Sequence, residues 1–599
     1  MLISFCLIFF LLTLFLSLGF FFQRYLINTK LSDHFSFFET IFFGIFLLTI
    51  LTLLTNFFLD LHNKFFLIFL FFLFSFTLLK FRKLIKNNIK KILLIALIFS
   101  PLSTYISFGY DSGLYHIPYQ AFIQSEKISF GLANLHMRYG LTTSYSYIAA
   151  LLWYNNFFNL VSSFSTILFS LFFIFVYERI KTKNVIDNIF AISALITFPL
   201  WYRYADLSIA LVDTYYSIFC YFTVYYGVKI ILSENNYEKK INNKIFLFLI
   251  FLSFTISTKP TASLLILFLL FVLIIKYKLF LKDVLNIIKI NIISLLFFLT
   301  WIIRNFIISS CFFYPMKLSC LNFSWQTNSI EDITVSIKIW NSFIFNSFLK
   351  FVVSYELLII VLVVIFLILL INSKRILNFL LLNRKLAFLT LTLIFVISTM
   401  YIEPLKLVSY LILSKQNILL KTIYIKEVIF IFLFYTLAIF FVSLTFTKNI
   451  TLNKFFNIRF SNFSPFLFFF INFLIWILYS PHPRLGQNLF LLIIPVIVIL
   501  LVDLKKVTIY DFSKYFNILI IIILFKISII QNFSQINSSS IIFVKQFTPE
   551  VALQKRNFYG YFPQNSENFC WTKKNCHPYS DVHIYKEILN YKFFKEIKN

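Results

Sequence analysis

Long uninterrupted apolar runs decide what this chain can fold into. Leu2–Phe22, Ile41–Leu59, Phe351–Ile371 (broken only by Glu356) and Val428–Phe446 are each long enough to cross a bilayer core, which takes roughly 20 residues as a helix. Counting mostly apolar runs of that kind gives roughly 14–16 spans. The expected fold is therefore all-α, a polytopic integral membrane protein with one multi-span domain over 1–530 and a tail over 531–599. Met1–Phe22 has no basic leader and no small-residue cleavage site, so it reads as a retained first span. Charged residues make up only 13% of the chain, against about a quarter in soluble domains.

Two composition figures do not bear on a ligand. The 86 phenylalanines accompany plentiful Ile, Lys and Asn, a drift of amino-acid usage and not an aromatic binding surface. The formal net charge of +29 is spread over short clusters between apolar spans, which is the positive-inside pattern. No basic soluble domain is present, and nucleic acid is excluded as a partner.

These clusters orient the loops. Lys80, Arg82, Lys83, Lys86, Lys90 and Lys91 form the strongest and are assigned to the cytoplasm. The next apolar segment is short and leads to a loop over about 102–147 on the other side. Alternating onward puts Trp201–Asp206, Thr258-Lys259-Pro260, a second long loop over 304–348 and Ser480-Pro481-His482-Pro483-Arg484 on that same non-cytoplasmic side. Residues 403–426 read as a re-entrant or interfacial helix.

The chemistry-bearing residues gather in the loop 107–147. Gly109, Gly113, Gly131 and Gly140 belong to it, out of only nine glycines in the chain, and it holds two acids, two histidines and an arginine. Asp111 lies just beyond a span and can serve as a general base toward an acceptor hydroxyl or hold a divalent cation through oxygen. As an ordinary residue it would be a turn aspartate in Asp-Ser-Gly. Tyr115 or His116 comes onto roughly the same side as Asp111 if a short helix starts at Ser112. Asn134, His136 and Arg138 alternate with apolar residues and would face one way in an extended segment. The planar fork of Arg138 suits a phosphate.

Lys259, Arg304, Asn305, Tyr314, His482 and Arg484 are further candidates for substrate binding, all in predicted outer loops. Singly, each cation reads as a snorkelling interfacial charge. Together, Arg138, Lys259, Arg304 and Arg484 would make an anion site if they converge near Asp111. Cys311 with Cys320, and Cys570 with Cys576, are close pairs on the predicted outside and fit disulfides in an oxidising compartment. Nucleotide hydrolysis, hydride transfer, zinc proteolysis and serine-hydrolase chemistry lack their motifs.

Several stretches carry a family likeness: YDSGLYHIPYQ, GLANLHMRYG, Arg304-Asn305 with Tyr314-Pro315, the Pro-His-Pro-Arg turn and the CW…C-HPY tail. Together they resemble the GT-C membrane glycosyltransferases, including protein O-mannosyltransferase-like enzymes, and more closely a group of large bacterial membrane proteins related to them. The resemblance implies a GT-C-like bundle with a large outer loop after an early helix. It also implies transfer of a sugar from a polyprenyl-phosphate donor to a glycan, lipid or protein acceptor on the non-cytoplasmic face of the bacterial inner membrane. By that likeness Asp111 is the catalytic base or a metal-site acid. His116, His136, Arg138, Arg304 and Arg484 bind the donor phosphate and sugar. Ser112 stands where many relatives of that kind have a second acid. This favours metal-free base catalysis, with no cofactor assigned and a divalent cation as the alternative. Membrane lipid is the surrounding partner. The other functional readings are a transporter of polysaccharide or lipid-linked oligosaccharide, and a surface-glycan polymerase or ligase.

Overall fold

The computed structural model describes residues 1–27, 35–105, 108, 111–141, 143–154, 157–182, 184–204, 212–233, 239–282, 284–327, 460–479 and 486–501, and strand segments at 553–555, 561–563, 582–588 and 591–596. The chain divides into two compact units. One comprises Met1–Ile174, Asp206–Ser336 and Ile521–Asn599; the other comprises Phe175–Ala205 and Ile337–Ile520.

Helices dominate. The first unit holds α1 (Leu2–Phe21), α2 (Phe37–Phe58), α3 (Lys64–Lys80), α4 (Arg82–Tyr105), α5 (Ile117–Ser125) and α6 (Ser144–Leu152). After α7 (Asn159–Ile180), α8 (Val185–Tyr204) belongs to the second unit. The first unit resumes with α9 (Asp213–Ile231), α10 (Lys239–Thr258), α11 (Leu265–Ile275), α12 (Tyr277–Lys282) and α13 (Val284–Ser309). The second unit adds α14 (Phe460–Tyr479) and α15 (Gln487–Leu501).

Among the described residues four helical segments are long and apolar enough to cross a membrane: Leu2–Leu26, Phe37–Phe58, Asn159–Ile180 and Val284–Ser309. The pair Lys64–Lys80 and Arg82–Thr104, bent by 90°, makes a fifth if it counts as one span. This is the build of a membrane protein. Five further apolar helices are shorter, including Val185–Phe198 and Asn242–Thr258. The expected spans at 351–371 and 428–446 and the segment 403–426 lie outside the described residues.

Local sequence explains where the helices start and how closely they pack. Ser36 and Glu39 form a capping box on α2: the Glu39 amide donates to Ser36 Oγ at 3.3 Å, and the Ser36 amide donates to Glu39 Oε2 at 2.8 Å. Glu39 is buried, and its other oxygen accepts from the Tyr226 hydroxyl. Where α1 crosses α2, a Cβ on Gly19 would lie 1.8 Å from the Thr40 carbonyl oxygen, and one on Gly44 would lie 1.8 Å from that of Phe15. Only a glycine on each helix allows this approach, the small-residue packing that membrane helices use. The phenylalanines serve the same bundle. Phe42 stacks on Phe251 at 4.0 Å, and Phe46, Phe219, Phe254 and Phe297 surround them. Buried hydroxyl pairs between helices, such as Thr223 with Thr255 at 3.0 Å, add polar links.

The expectation of an all-α chain needs one correction. The C-terminal tail contains two antiparallel hairpins, β1 (Leu553–Lys555) with β2 (Tyr561–Pro563) and β3 (Val582–Ile588) with β4 (Tyr591–Glu596). The second follows from alternation in VHIYKEI and YKFFKE, the period-two pattern of paired strands. In the second unit, α15 packs against α8 and α14, with Trp476 edge-on to Phe490 at 6.1 Å.

Candidate functional site

The loop after α4 is pinned from three directions. The Leu61 amide donates to the Ile123 carbonyl at 3.1 Å, and the Ile128 amide donates to the Asn56 carbonyl at 2.8 Å, tying the loop to the end of α2. The Gly131 amide donates to the Ile307 carbonyl on α13 at 2.9 Å, and the Phe130 amide to Lys592 of β4 at 2.9 Å. Ser112–His116 is a π-helical turn leading directly into α5, and Leu132–Asn134 and Met137–Leu141 are 3-10 turns. The segment 134–138 is therefore not extended as the alternation predicts. Turn geometry, with polar atoms bonded locally, replaces the strand-like face.

Asp111 and Arg138 meet across this loop, Arg138 Nη1 lying 3.1 Å from Asp111 Oδ1. Both remain within reach of solvent, with side chains 18% and 37% exposed respectively. The guanidinium sits over the Tyr115 ring at 5.0 Å, and Tyr115 lies 4.1 Å from the His116 ring and 5.9 Å from that of His136. His136 is buried and its Nδ1 accepts from the Arg138 amide at 3.0 Å. This assigns the proton to Nε2 when the ring is neutral. Asp111, Tyr115, His116, His136 and Arg138 thus form one cluster. Asn134 turns toward another segment, its Nδ2 donating to the Trp325 carbonyl at 3.3 Å.

Beside the 137–141 turn lies a cavity of about 210 Å³. Lys259, Asn305 and Tyr314 line it together with Ser257, Thr261 and Trp301. Gly140 brings the turn to this wall: a Cβ there would fall 2.5 Å from the Tyr314 ring. The Tyr314 hydroxyl donates to the Met137 carbonyl at 3.0 Å, so one short turn carries Arg138 and borders the cavity. Lys259 forms an ion pair with Asp213 at the start of α9.

Arg304 is not at the start of a loop. It lies in the last two turns of α13 and is fully buried. Its Nε donates to Tyr147 Oη at 3.2 Å, Nη2 to Tyr119 Oη at 2.7 Å and Nη1 to Asn305 Oδ1 at 2.8 Å. Trp301 lies against the guanidinium at 4.7 Å. Burial, reinforced by the Tyr119 hydroxyl 3.0 Å away, pushes the Tyr147 phenol up from its ordinary value, so it remains protonated. Of the three described cations only Arg138 meets Asp111; Lys259 pairs with Asp213, and Arg304 braces two tyrosines. His482 and Arg484 lie outside the described residues.

Tyr119, Tyr147 and Asp213 were absent from the sequence-derived candidates. Tyr119 sits one helical turn beyond Tyr115 and His116, a spacing that puts all three on neighbouring positions of one helix. Nothing local marks Tyr147 or Asp213. Cys311 and Cys320 form a disulfide, as their spacing predicts; Cys570 and Cys576 lie outside the described residues. Among the described residues no three His, Cys, Asp or Glu side chains gather as a metal site.

A family model described as a domain of unknown function, DUF8201, matches residues 1–401. The chain belongs to the DUF8201 family. No curated protein and no solved structure matches it. The DUF8201 match covers the Asp111–Arg138 cluster, every residue lining the cavity and the Cys311–Cys320 disulfide. The hairpins of the tail fall beyond it.

Proposed function

We propose that this chain is a membrane glycosyltransferase, moving a sugar from a polyprenyl-phosphate donor to an acceptor on the non-cytoplasmic face in cell-envelope or surface-glycan assembly. The observation that carries the reading is Asp111: a solvent-reachable carboxylate paired with Arg138, whose guanidinium lies over the Tyr115 ring with His116 and His136 beside it. A carboxylate in that position can take the proton of an acceptor hydroxyl. The acceptor oxygen then bonds to the anomeric carbon while the bond from that carbon to the phosphate oxygen breaks. The polyprenyl phosphate leaves with the electron pair. The neighbouring cavity supplies donor groups suited to a polar head, with Lys259 and Asn305 beside Ser257 and Thr261, and aromatic walls from Trp301 and Tyr314. Arg304 has a positioning role, setting Trp301 and Asn305 at the cavity edge.

The test is a mass-spectrometric profile of surface glycans from a deletion strain carrying wild type or Asp111→Asn. Restoration of a missing sugar by wild type alone supports the reading and names the transferred sugar. Equal restoration by both makes Asp111 a turn residue and ends its catalytic assignment. The transporter reading has one observation in its favour: Glu39, in the first turn of the apolar helix α2, is a buried acid, and buried acids in spans can mark a transport path. Loss of glycan export in Glu39→Gln, with Asp111→Asn unaffected, would favour it.

A further inference from the structure

The loop that closes the cavity presents its other side outward, and that side is apolar. Residues 311–320 form a small disulfide-closed projection just past the end of α13. Phe313, Tyr314, Pro315 and Met316 contribute to the cavity wall. On the outside, Leu318 is 100% exposed, and Met316, Leu321, Phe323 and Phe312 are exposed with it. A soluble surface rarely gathers so many large apolar groups in one place.

Two features identify what covers this ledge. The first is continuity. The exposed stripe of α13 runs Leu285, Ile288, Ile292, Leu295, Leu299 and Ile303, one side of a 26-residue apolar helix long enough to cross a membrane. That stripe faces lipid in a spanning helix, and the ledge begins two residues after the helix ends. The second is backbone accounting. The amides of Phe312, Phe313, Met316, Ser319, Cys320 and Leu321 all donate within the loop or to its stem at Ser310. A segment with most of its amides bonded internally enters an apolar phase at lower cost. Lys317 places a charge among the apolar groups, and a lysine of this kind reaches back to the headgroups.

We infer that the Cys311–Cys320 loop is seated in the bilayer at the end of α13, where its apolar face contacts acyl chains and its inner face walls the cavity. The cavity is then bounded on one side by a membrane-embedded element. This inference rests on the helices as spans and not on the transferase reading.

The test is site-specific photocrosslinking in full-length protein reconstituted in phosphatidylethanolamine–phosphatidylglycerol vesicles. Benzoyl-phenylalanine replaces Leu318 in one sample and Leu321 in a second. Phe69, exposed on the apolar helix α3, serves as the lipid reference, and Glu587, exposed on β3, serves as the aqueous one. Expected are lipid adducts at 318 and 321 within about twofold of those at 69 and at least tenfold above those at 587. Position 318 is fully exposed, so the replacement leaves folding intact. Adduct levels at both positions matching those at 587 overturn the inference. Chain-to-chain adducts at 318 in place of lipid adducts also overturn it, in favour of a second copy. Absence of lipid adducts at 69 as well removes its foundation.

Discussion

Asp111 and Arg138 stand 27 residues apart in sequence and 3.1 Å apart in space. The contact joins the start of the π-helical turn to a 3-10 turn that borders the cavity. Each is partly open to water, where ion pairs contribute about 0.2–1 kcal/mol. Stability is therefore not what the pair chiefly supplies.

A clean separation of stability from activity should follow. Asp111→Asn is expected to shift the thermal midpoint by no more than the loss of about 1 kcal/mol allows, while on the proposed transferase reading sugar transfer falls about 10²–10⁴-fold, the usual contribution of a general base. Thermal unfolding in detergent and single-turnover transfer on the same preparation check this. A large drop in the midpoint would make the pair a structural tie.

Arg304 should behave in the opposite way. It is buried, and it donates to Tyr119, Tyr147 and Asn305 at once. Arg304→Met is expected to destabilise by about 1–3 kcal/mol, the scale for losing hydrogen bonds to a charged group in a buried place. Arg304→Lys should recover little, because one ammonium cannot reproduce the three-way fork. Denaturant or thermal unfolding of both variants, beside Tyr147→Phe, measures the difference.

The contrast between these two arginines shows what was legible in the sequence. The apolar runs and the Cys311–Cys320 closure are local patterns, and each is readable from spacing alone. Asp111, Tyr115, His116, His136 and Arg138 are close in sequence, so their gathering in one cluster follows from a compact loop. A cation usually ends a span, so the sequence pattern alone puts Arg304 at the start of a loop, whereas it lies inside α13. Its neighbours carried the better signal: Phe297, Trp301, Arg304, Asn305 and Ile308 fall on one helical face, and all are buried. Its hydroxyl partners lie 157 and 185 residues away, and no local pattern encodes such a contact. The ion pair of Lys259 with Asp213 was hidden for the same reason.

The hairpin β3–β4 acts on the loop directly. Lys592 Nζ pairs with Glu126 at 2.7 Å, the Tyr591 hydroxyl donates to the Phe57 carbonyl at 2.8 Å, and Lys127 lies over the Tyr591 ring at 3.6 Å. The Phe130 amide is bonded to this strand and not within its own loop. Removing the hairpin by ending the chain at Asp581 should therefore leave that amide free to exchange. Hydrogen exchange read by mass spectrometry on peptides spanning 126–131 should speed up by at least tenfold, while α2 peptides keep their protection. Unchanged exchange at 126–131 would show that the contacts to Asn56 and Ile307 hold the loop alone.

Closure of the Cys311–Cys320 loop sets the shape of the cavity wall. A disulfide spanning so few residues limits the unfolded chain modestly, by about 2–3 kcal/mol on the loop-entropy account. Cys311→Ser with Cys320→Ser should lower stability by that order. The larger consequence is local. Phe313, Tyr314 and Met316 all reach the cavity from inside the closed loop, and the Tyr314 ring fills the space above Gly140. Without the bond, the Tyr314 contact with the 137–141 turn should loosen, and on the proposed transferase reading sugar transfer should weaken through the apparent KM for donor more than through kcat. Steady-state transfer by the double serine variant, in oxidising buffer, measures that split. A fall confined to kcat, with KM unchanged, would instead place the loop's influence on the Asp111 side of the turn.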